Sequence, residues 1–267
     1  MTRKPTLLTM IGVLIGSGIA VGACSSGAGT SGGSGTSSGP APAPSSPSAP
    51  SSTAPRDRAY HPVIDPAKFS NRVTNRYFPL PVGTTLVYEG TRDGRPQRDE
   101  VVITKETRVI MGVRCTVVRD TVTSNGALVE KTTDWYAQSA AGDVWYFGEA
   151  TGEYTNGNLT STKGSWEAGV DTAQPGVVMK AYPRPGDSYR QEYRPGEAED
   201  MAKVLRTTAT VKVPVGRFTN VVVTDDTDPL NPDKADHKSY APGVGLVLAD
   251  RVRSGHHEHI ALVERRG

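Results

Sequence analysis

His256-His257-Glu258-His259, near the C-terminus, carries the densest metal-ligand chemistry in the chain. On a strand, His257 and His259 fall on one face and His256 and Glu258 on the other. Two imidazoles two residues apart supply part of a transition-metal site. His237 and Asp250 are the nearest residues that could complete it. The helical His-Glu-x-x-His spacing is absent, and the preceding Ser254-Gly255 also suits a solvated hairpin tip.

Carboxylates offer a second chemistry. Glu192, Glu197, Glu199 and Asp200 cluster around Pro195-Gly196, with Glu167 as a further candidate. Two acids facing each other across a groove would suit glycoside hydrolysis. The alternative is a short helix over residues 197–205, whose first turn would place Glu197, Glu199 and Asp200 where acids complement the dipole. Asp225-Asp226-Thr227-Asp228 leads into an oxygen-rich segment that lacks the glycine and terminal glutamate of an EF-hand loop.

The aromatics Trp135, Tyr146 and Trp166 are the candidate ligand-binding residues. Trp145 and Phe147 share one face of their strand and Tyr146 takes the other, so one set belongs to the core and the other can line a cavity. Cys115 lies in the strand-like run Val113-Arg114-Cys115-Thr116-Val117-Val118, with no histidine near it in sequence, and reads as a small buried hydrophobe. Two Gly-x-Ser-x-Gly matches, at residues 29–33 and 35–39, lie in a Ser/Gly tract. That tract lacks the strand, strained turn and helix needed to present a nucleophile.

These residues must be positioned by strands. Runs rich in Val, Thr, Tyr and Ile recur at residues 84–89, 99–109, 114–123, 127–137, 143–149, 177–181, 188–193, 203–213, 219–224, 237–241, 246–252 and 259–264. Asp93-Gly94, Asn125-Gly126 and Asn156-Gly157 mark tight hairpins between them. The pattern predicts an all-β, mainly antiparallel fold, as a sandwich or half-barrel. Residues 81–148 and 183–250 match in order at three places. One of these is Gly112-Val113-Arg114-Cys115-Thr116-Val117-Val118 with Gly216-Arg217-Phe218-Thr219-Asn220-Val221-Val222. An internal repeat of two similar meanders packed together is therefore expected, with residues 154–183 as the crossover.

The N-terminal region sets the expected location. Arg3 and Lys4 precede an apolar run that ends at Val21-Gly22-Ala23-Cys24, the layout of a cleaved secretory signal. The run is short for a spanning helix, which needs roughly 20 predominantly apolar residues. This resembles a bacterial lipobox, which implies cleavage of residues 1–23 and a diacylglyceryl thioether on Cys24. Residues 24–56 hold little besides Ser, Gly, Pro, Ala and Thr, the composition of a disordered linker spanning about 30 Å. The β domain is expected over residues 57–267. With Cys24 acylated, the second of the two cysteines, Cys115, has no disulfide partner.

Asn75-Arg76-Tyr77-Phe78-Pro79-Leu80-Pro81-Val82-Gly83, Trp145-Tyr146-Phe147-Gly148-Glu149, Ser165-Trp166-Glu167-Ala168-Gly169 and Tyr240-Ala241-Pro242-Gly243-Val244-Gly245-Leu246 resemble segments of an uncharacterised group of secreted bacterial proteins and lipoproteins. The last is similar to a segment in other exported β-sheet proteins, some related to half-barrels that handle lipids. The resemblance implies an envelope location and a β fold, and no activity.

Formal charge is +2 with both signs interspersed, so no basic stripe marks a nucleic-acid face. No phosphate-binding loop or dinucleotide fingerprint calls for a cofactor. The sequence predicts a non-enzymatic β domain, lipid-anchored through Cys24 on the extracytoplasmic face of the cell membrane, that binds an apolar or amphipathic ligand or an envelope partner. The alternative is an envelope polysaccharide hydrolase using paired carboxylates.

Overall fold

The computed structural model describes residues 60–253 and 257–267. The signal sequence, Cys24, the linker and His256 lie outside the described residues. After a 3-10 turn at Pro66–Lys68, capped by the Asp65 side chain, the chain enters β1 (Phe69–Ser70). A first meander follows: β2 (Thr85–Arg92), β3 (Arg95–Ile110), β4 (Val113–Ser124), β5 (Ala127–Ser139) and β6 (Val144–Thr155). Each pairs antiparallel with the next. Asp93-Gly94 and Asn125-Gly126 have positive φ at both positions, the twist that a two-residue hairpin requires.

The expected crossover folds back onto β6. β7 (Asn158–Ser161), β8 (Trp166–Glu167) and β9 (Gln174–Met179) all pair with it. β10 (Ser188–Arg190) and β11 (Glu192–Tyr193) follow. The second meander comprises β12 (Met201–Val213), β13 (Gly216–Asp228), β14 (Asn231–Ala241), β15 (Gly245–Arg253) and β16 (Glu258–Arg266).

The two meanders join edge to edge, because β16 pairs with β2. At the far side β10 pairs with β12 and β11 with β9. Residues 188–193 therefore span the two ends of one nearly closed, barrel-like antiparallel sheet. Gly176 meets this segment so closely that a Cβ there would lie 2.2 Å from the Gln191 carbonyl oxygen.

The helix envisaged over residues 197–205 does not form. Arg194–Ala198 makes a turn, the Glu199 carboxylate accepts from the Gly196 N–H, and β12 begins at Met201. Ala202 and Val204 alternate with exposed residues and pair with β13. Burying that period-2 face, together with the ladder bonds, outweighs local helix preference.

The core joins both meanders through Tyr88, Ile103, Val118, Tyr136, Tyr146, Val222, Tyr240 and Leu262. The inward face also carries charge. Asp99, Asp120, Glu130, Asp134, Glu149, Glu192, Asp200, Asp226 and Asp228 are buried, against Arg92, Lys234 and Lys238 among buried cations of the described residues. Lys238 Nζ reaches Asp226 Oδ2 at 3.0 Å, and Arg251 joins Asp236 at 2.7 Å and Glu258 at 3.1 Å. On β3 to β6 the acids outnumber nearby cations, and burial pushes the Asp99 carboxyl up to about 7 and those of Glu130 and Asp134 up to about 8.

Candidate functional site

A bulge on β6 builds the candidate site. Asp134 pairs with Glu149 and Tyr136 with Tyr146, so Phe147 and Gly148 together oppose Trp135. The extra residue shifts the side-chain alternation. Tyr146 and Glu149 consequently both face inward, while Phe147 is buried against Phe69, with ring centroids 5.6 Å apart. Gly148 has φ +133°, and a Cβ there would meet the Trp166 carbonyl oxygen at 2.3 Å. Only glycine lets β8 come close enough to set Trp166 beside Tyr146.

Tyr146 is fully buried. Its hydroxyl donates to Asp134 Oδ1 at 2.6 Å, its ring stacks on Tyr136 at 4.8 Å and it meets the Trp166 indole edge-on at 5.3 Å. Trp166 donates from Nε1 to Glu192 Oε2 at 2.7 Å. Burial, then the neighbouring Asp200, holds the Glu192 carboxyl well above its usual range.

Trp135 and Trp166, separated by 30 residues in the chain, line one pocket of about 350 Å³. Arg108, Glu149, Glu167 and Arg194 share its wall. The Arg108 guanidinium lies 4.5 Å over the Trp135 ring and pairs with Glu167 at 2.5 Å. Arg194 donates to the Ser165 carbonyl at 2.7 Å and faces Asp171 at 3.6 Å. The wall thus combines indole edges, two guanidinium groups and acids, which suits a ligand with both an apolar and a polar face. Of the three aromatic candidates, Trp135 and Trp166 line this pocket and Tyr146 supports Trp166 from behind.

The other candidates separate. Of the five carboxylates considered, only Glu167 lines this pocket. Glu192 and Asp200 are buried inside the sheet, and Glu199 is spent on the Gly196 turn and faces Arg190 at 3.7 Å. Glu149 shares the pocket with Glu167 and was not singled out in the sequence. Its signal is its place beside the bulge, which only the register reveals.

His259, Asp250, His237 and Asp225 stand directly opposite one another across β16, β15, β14 and β13. His259 Nδ1 lies 2.6 Å from Asp250 Oδ1, and His237 Nε2 3.6 Å from Asp225 Oδ1. His257 is exposed, and its peptide N–H donates to Asp93 Oδ1 at 3.0 Å. Among the described residues no three His, Cys, Asp or Glu side chains are arranged to hold a metal ion. Cys115 is a buried free thiol that burial pushes up to about 12.

No protein-family model matches the chain, and no curated protein sequence matches it. Two solved structures show a partial likeness to this chain. One is described as an exported protein with a YmcC-like fold from Bacteroides fragilis, 14% identical, with a TM-score of 0.43 over 72% of this chain and 99% of that one. The other is described as a lipoprotein from Parabacteroides distasonis, 13% identical, with a TM-score of 0.41 over the same shares. Function has to be argued from the residues of this chain.

Proposed function

We propose that the chain is a non-enzymatic, lipid-anchored extracytoplasmic domain that binds a small amphipathic ligand in the Trp135–Trp166 pocket. The observation that carries this reading is the convergence of Trp135, Trp166, Arg108 and Glu167 on one concavity from β3, β5 and β8. Its volume lies at the lower end of small-molecule sites. The indoles offer apolar edges, and the Arg108–Glu167 pair offers a donor and an acceptor to a polar head. The lipobox at Val21-Gly22-Ala23-Cys24 supports the anchor and the location.

The test is native mass spectrometry of the full-length protein purified from its producing cell. A bound small molecule is expected in the parent and is lost in Arg108→Ala, Glu167→Ala. Parent protein with no bound mass, or a mass retained unchanged in the double variant, sinks the pocket assignment. Membrane retention is checked separately with Cys24→Ala, which should move the protein to the soluble fraction.

A further inference from the structure

A second concavity, of about 650 Å³, shares no lining residue with the Trp135–Trp166 pocket. It forms where the segment before β2 crosses the end of β5 and the segment after β9. Arg76, Tyr77, Tyr182 and Arg184 contribute the aromatic and charged side chains, and no carboxylate lines it.

Its walls are built from buried polar contacts. Asn75 is 5% exposed. It donates through Nδ2 to the carbonyls of Gly142 at 3.0 Å and Lys180 at 3.1 Å. Its Oδ1 accepts from the N–H groups of Tyr77 and Phe78. Gln138 Oε1 accepts from the N–H groups of Thr74 and Asn75, and the Arg76 carbonyl accepts from Gly243 N–H at 2.7 Å. Four separate stretches of chain, around residues 74–78, 138–142, 180 and 243, are thereby tied together at one groove.

Its rim carries two guanidinium groups that no described carboxylate contacts, although the charge of Arg184 helps to lower the Asp187 carboxyl. Neither Arg76 nor Arg184 forms an ion pair with a described residue. The carboxylates nearby spend their direct contacts on Lys180 and on backbone N–H groups. Asp187 pairs with Lys180 at 3.3 Å and accepts from the Arg184 N–H, while Asp143 accepts from the Ala181 N–H at 2.8 Å. Arg76 lies 5.5 Å from the Tyr77 ring centroid, and Tyr182 is 82% exposed. An aromatic side chain that open is a poor contributor to folding, whereas a flat ring beside unpaired guanidinium groups is what an acidic sugar can use. The ring stacks on its carbon face and the guanidinium takes its carboxylate or phosphate in a forked pair.

We infer that this groove is a binding site for an acidic polysaccharide, with Arg76 and Arg184 taking its anionic groups and Tyr77 and Tyr182 its sugar rings. The site is independent of the ligand proposed for the Trp135–Trp166 pocket.

The experiment is biolayer interferometry of the full-length chain in detergent micelles, with polygalacturonate as the acidic probe and dextran as the neutral one. Polygalacturonate should bind at least ten-fold more tightly than dextran at 50 mM salt and weaken on going to 200 mM. Arg76→Ala, Arg184→Ala should lose at least ten-fold, and Tyr182→Ala should weaken binding with the salt dependence retained. Circular dichroism checks that the variants stay folded. Equal binding of the two polymers, no binding of polygalacturonate, or unchanged binding in the arginine variant overturns the assignment.

Discussion

Asp99 on β3 and Asp120 on β4 turn their carboxyl groups toward each other inside the sheet. Neither oxygen of Asp99 has a donor among the described residues. Val101 pairs with Asp120 and Asp99 with Val122, so the two acids lie diagonally on one inward face. They are close enough for one carboxyl to donate to the other once protonated. Burial raises the Asp99 carboxyl most, the hydrogen bond with Asp120 lowers it, and the charges of Glu130, Asp134 and Glu258 raise it further. A proton is the counter-charge that this half of the interior provides for.

Stability should therefore fall as pH rises through neutrality. In the unfolded chain these carboxyls ionise near pH 4. Folded, they keep their protons up to about 7 for Asp99 and Asp200 and about 8 for Glu130 and Asp134. Between those limits the folded state binds more protons than the unfolded one, so each pH step costs stability. Asp187 and Asp236 are shifted downward and act in the opposite sense, but their titration is complete by pH 5. Calorimetry should give a Tm at pH 5.5 that exceeds the value at pH 8.5 by about 5 °C or more. Asp99→Asn, which keeps the shape and supplies a donor to Asp120, should narrow that gap from the alkaline side. A Tm that is flat or rises over this range excludes the account.

The strands were legible in the sequence because Val, Thr and Tyr recur with period 2 and Asp-Gly or Asn-Gly punctuates them. The acidic interior is written there too, in the parity of single residues. Asp99 shares parity with Val101 and Ile103, and Asp120 with Val118 and Val122, so each acid sat in the apolar register. Trp135 and Trp166 were identifiable as types, but their meeting depends on the bulge at Phe147-Gly148, a single-residue shift that periodicity does not announce. The groove at Arg76 and Arg184 depends on segments more than a hundred residues apart, tied by Asn75 to the Lys180 carbonyl. Over residues 197–205 the acids suit the first turn of a helix, but the pairing that Ala202 and Val204 make with β13 decides the structure.

Trp166→Phe separates the structural and binding roles of the indole. Phenylalanine keeps an aromatic ring but leaves part of the indole volume empty, and Glu192 Oε2 loses its donor in a fully buried setting. An acceptor stranded in this way costs about 1–3 kcal/mol. Urea unfolding at pH 8 should show a lower midpoint with an unchanged slope. Adding Glu192→Gln should recover part of the loss, since a neutral amide is easier to leave buried than a carboxylate. A loss in the single variant that Glu192→Gln leaves unrelieved would mean that it comes from the cavity and that the Trp166–Glu192 bond contributes nothing.

Cys115 supplies a test of core integrity. Its side chain is shut inside the sheet, with Sγ 3.6 Å from the Val113 carbonyl, and burial followed by the nearby Glu167 pushes the thiol up to about 12. The thiolate is the reactive form, so at pH 8 an aromatic disulfide reagent should label Cys115 only as fast as the protein opens. Modification should be at least a hundred-fold slower in buffer than in 6 M guanidinium. Rapid labelling of the folded protein would place Cys115 at an accessible surface instead.

Closure of the sheet rests on the contact between Gly176 and the chain at Gln191, and one methyl group tests it. The φ of Gly176 is not in the positive range, so alanine meets no backbone strain there. The obstacle is steric: the new Cβ would lie 2.2 Å from the Gln191 carbonyl oxygen and 2.3 Å from its carbon, both backbone atoms. Relief requires β9 and residues 190–192 to separate. That movement would strain the β11–β9 pairing and the Gln191 N–H bond to the Asp200 carbonyl, which measures 2.8 Å. Gly176→Ala should therefore destabilise the protein by about 3 kcal/mol or more, at the upper end of single-substitution effects. Hydrogen exchange should show the loss of protection concentrated at residues 174–179 and 188–204, with β3 to β5 little changed. Loss spread evenly over all strands would mean that the seam is no weaker than the rest of the sheet. A variant as stable as the parent would mean that the barrel does not close through Gly176.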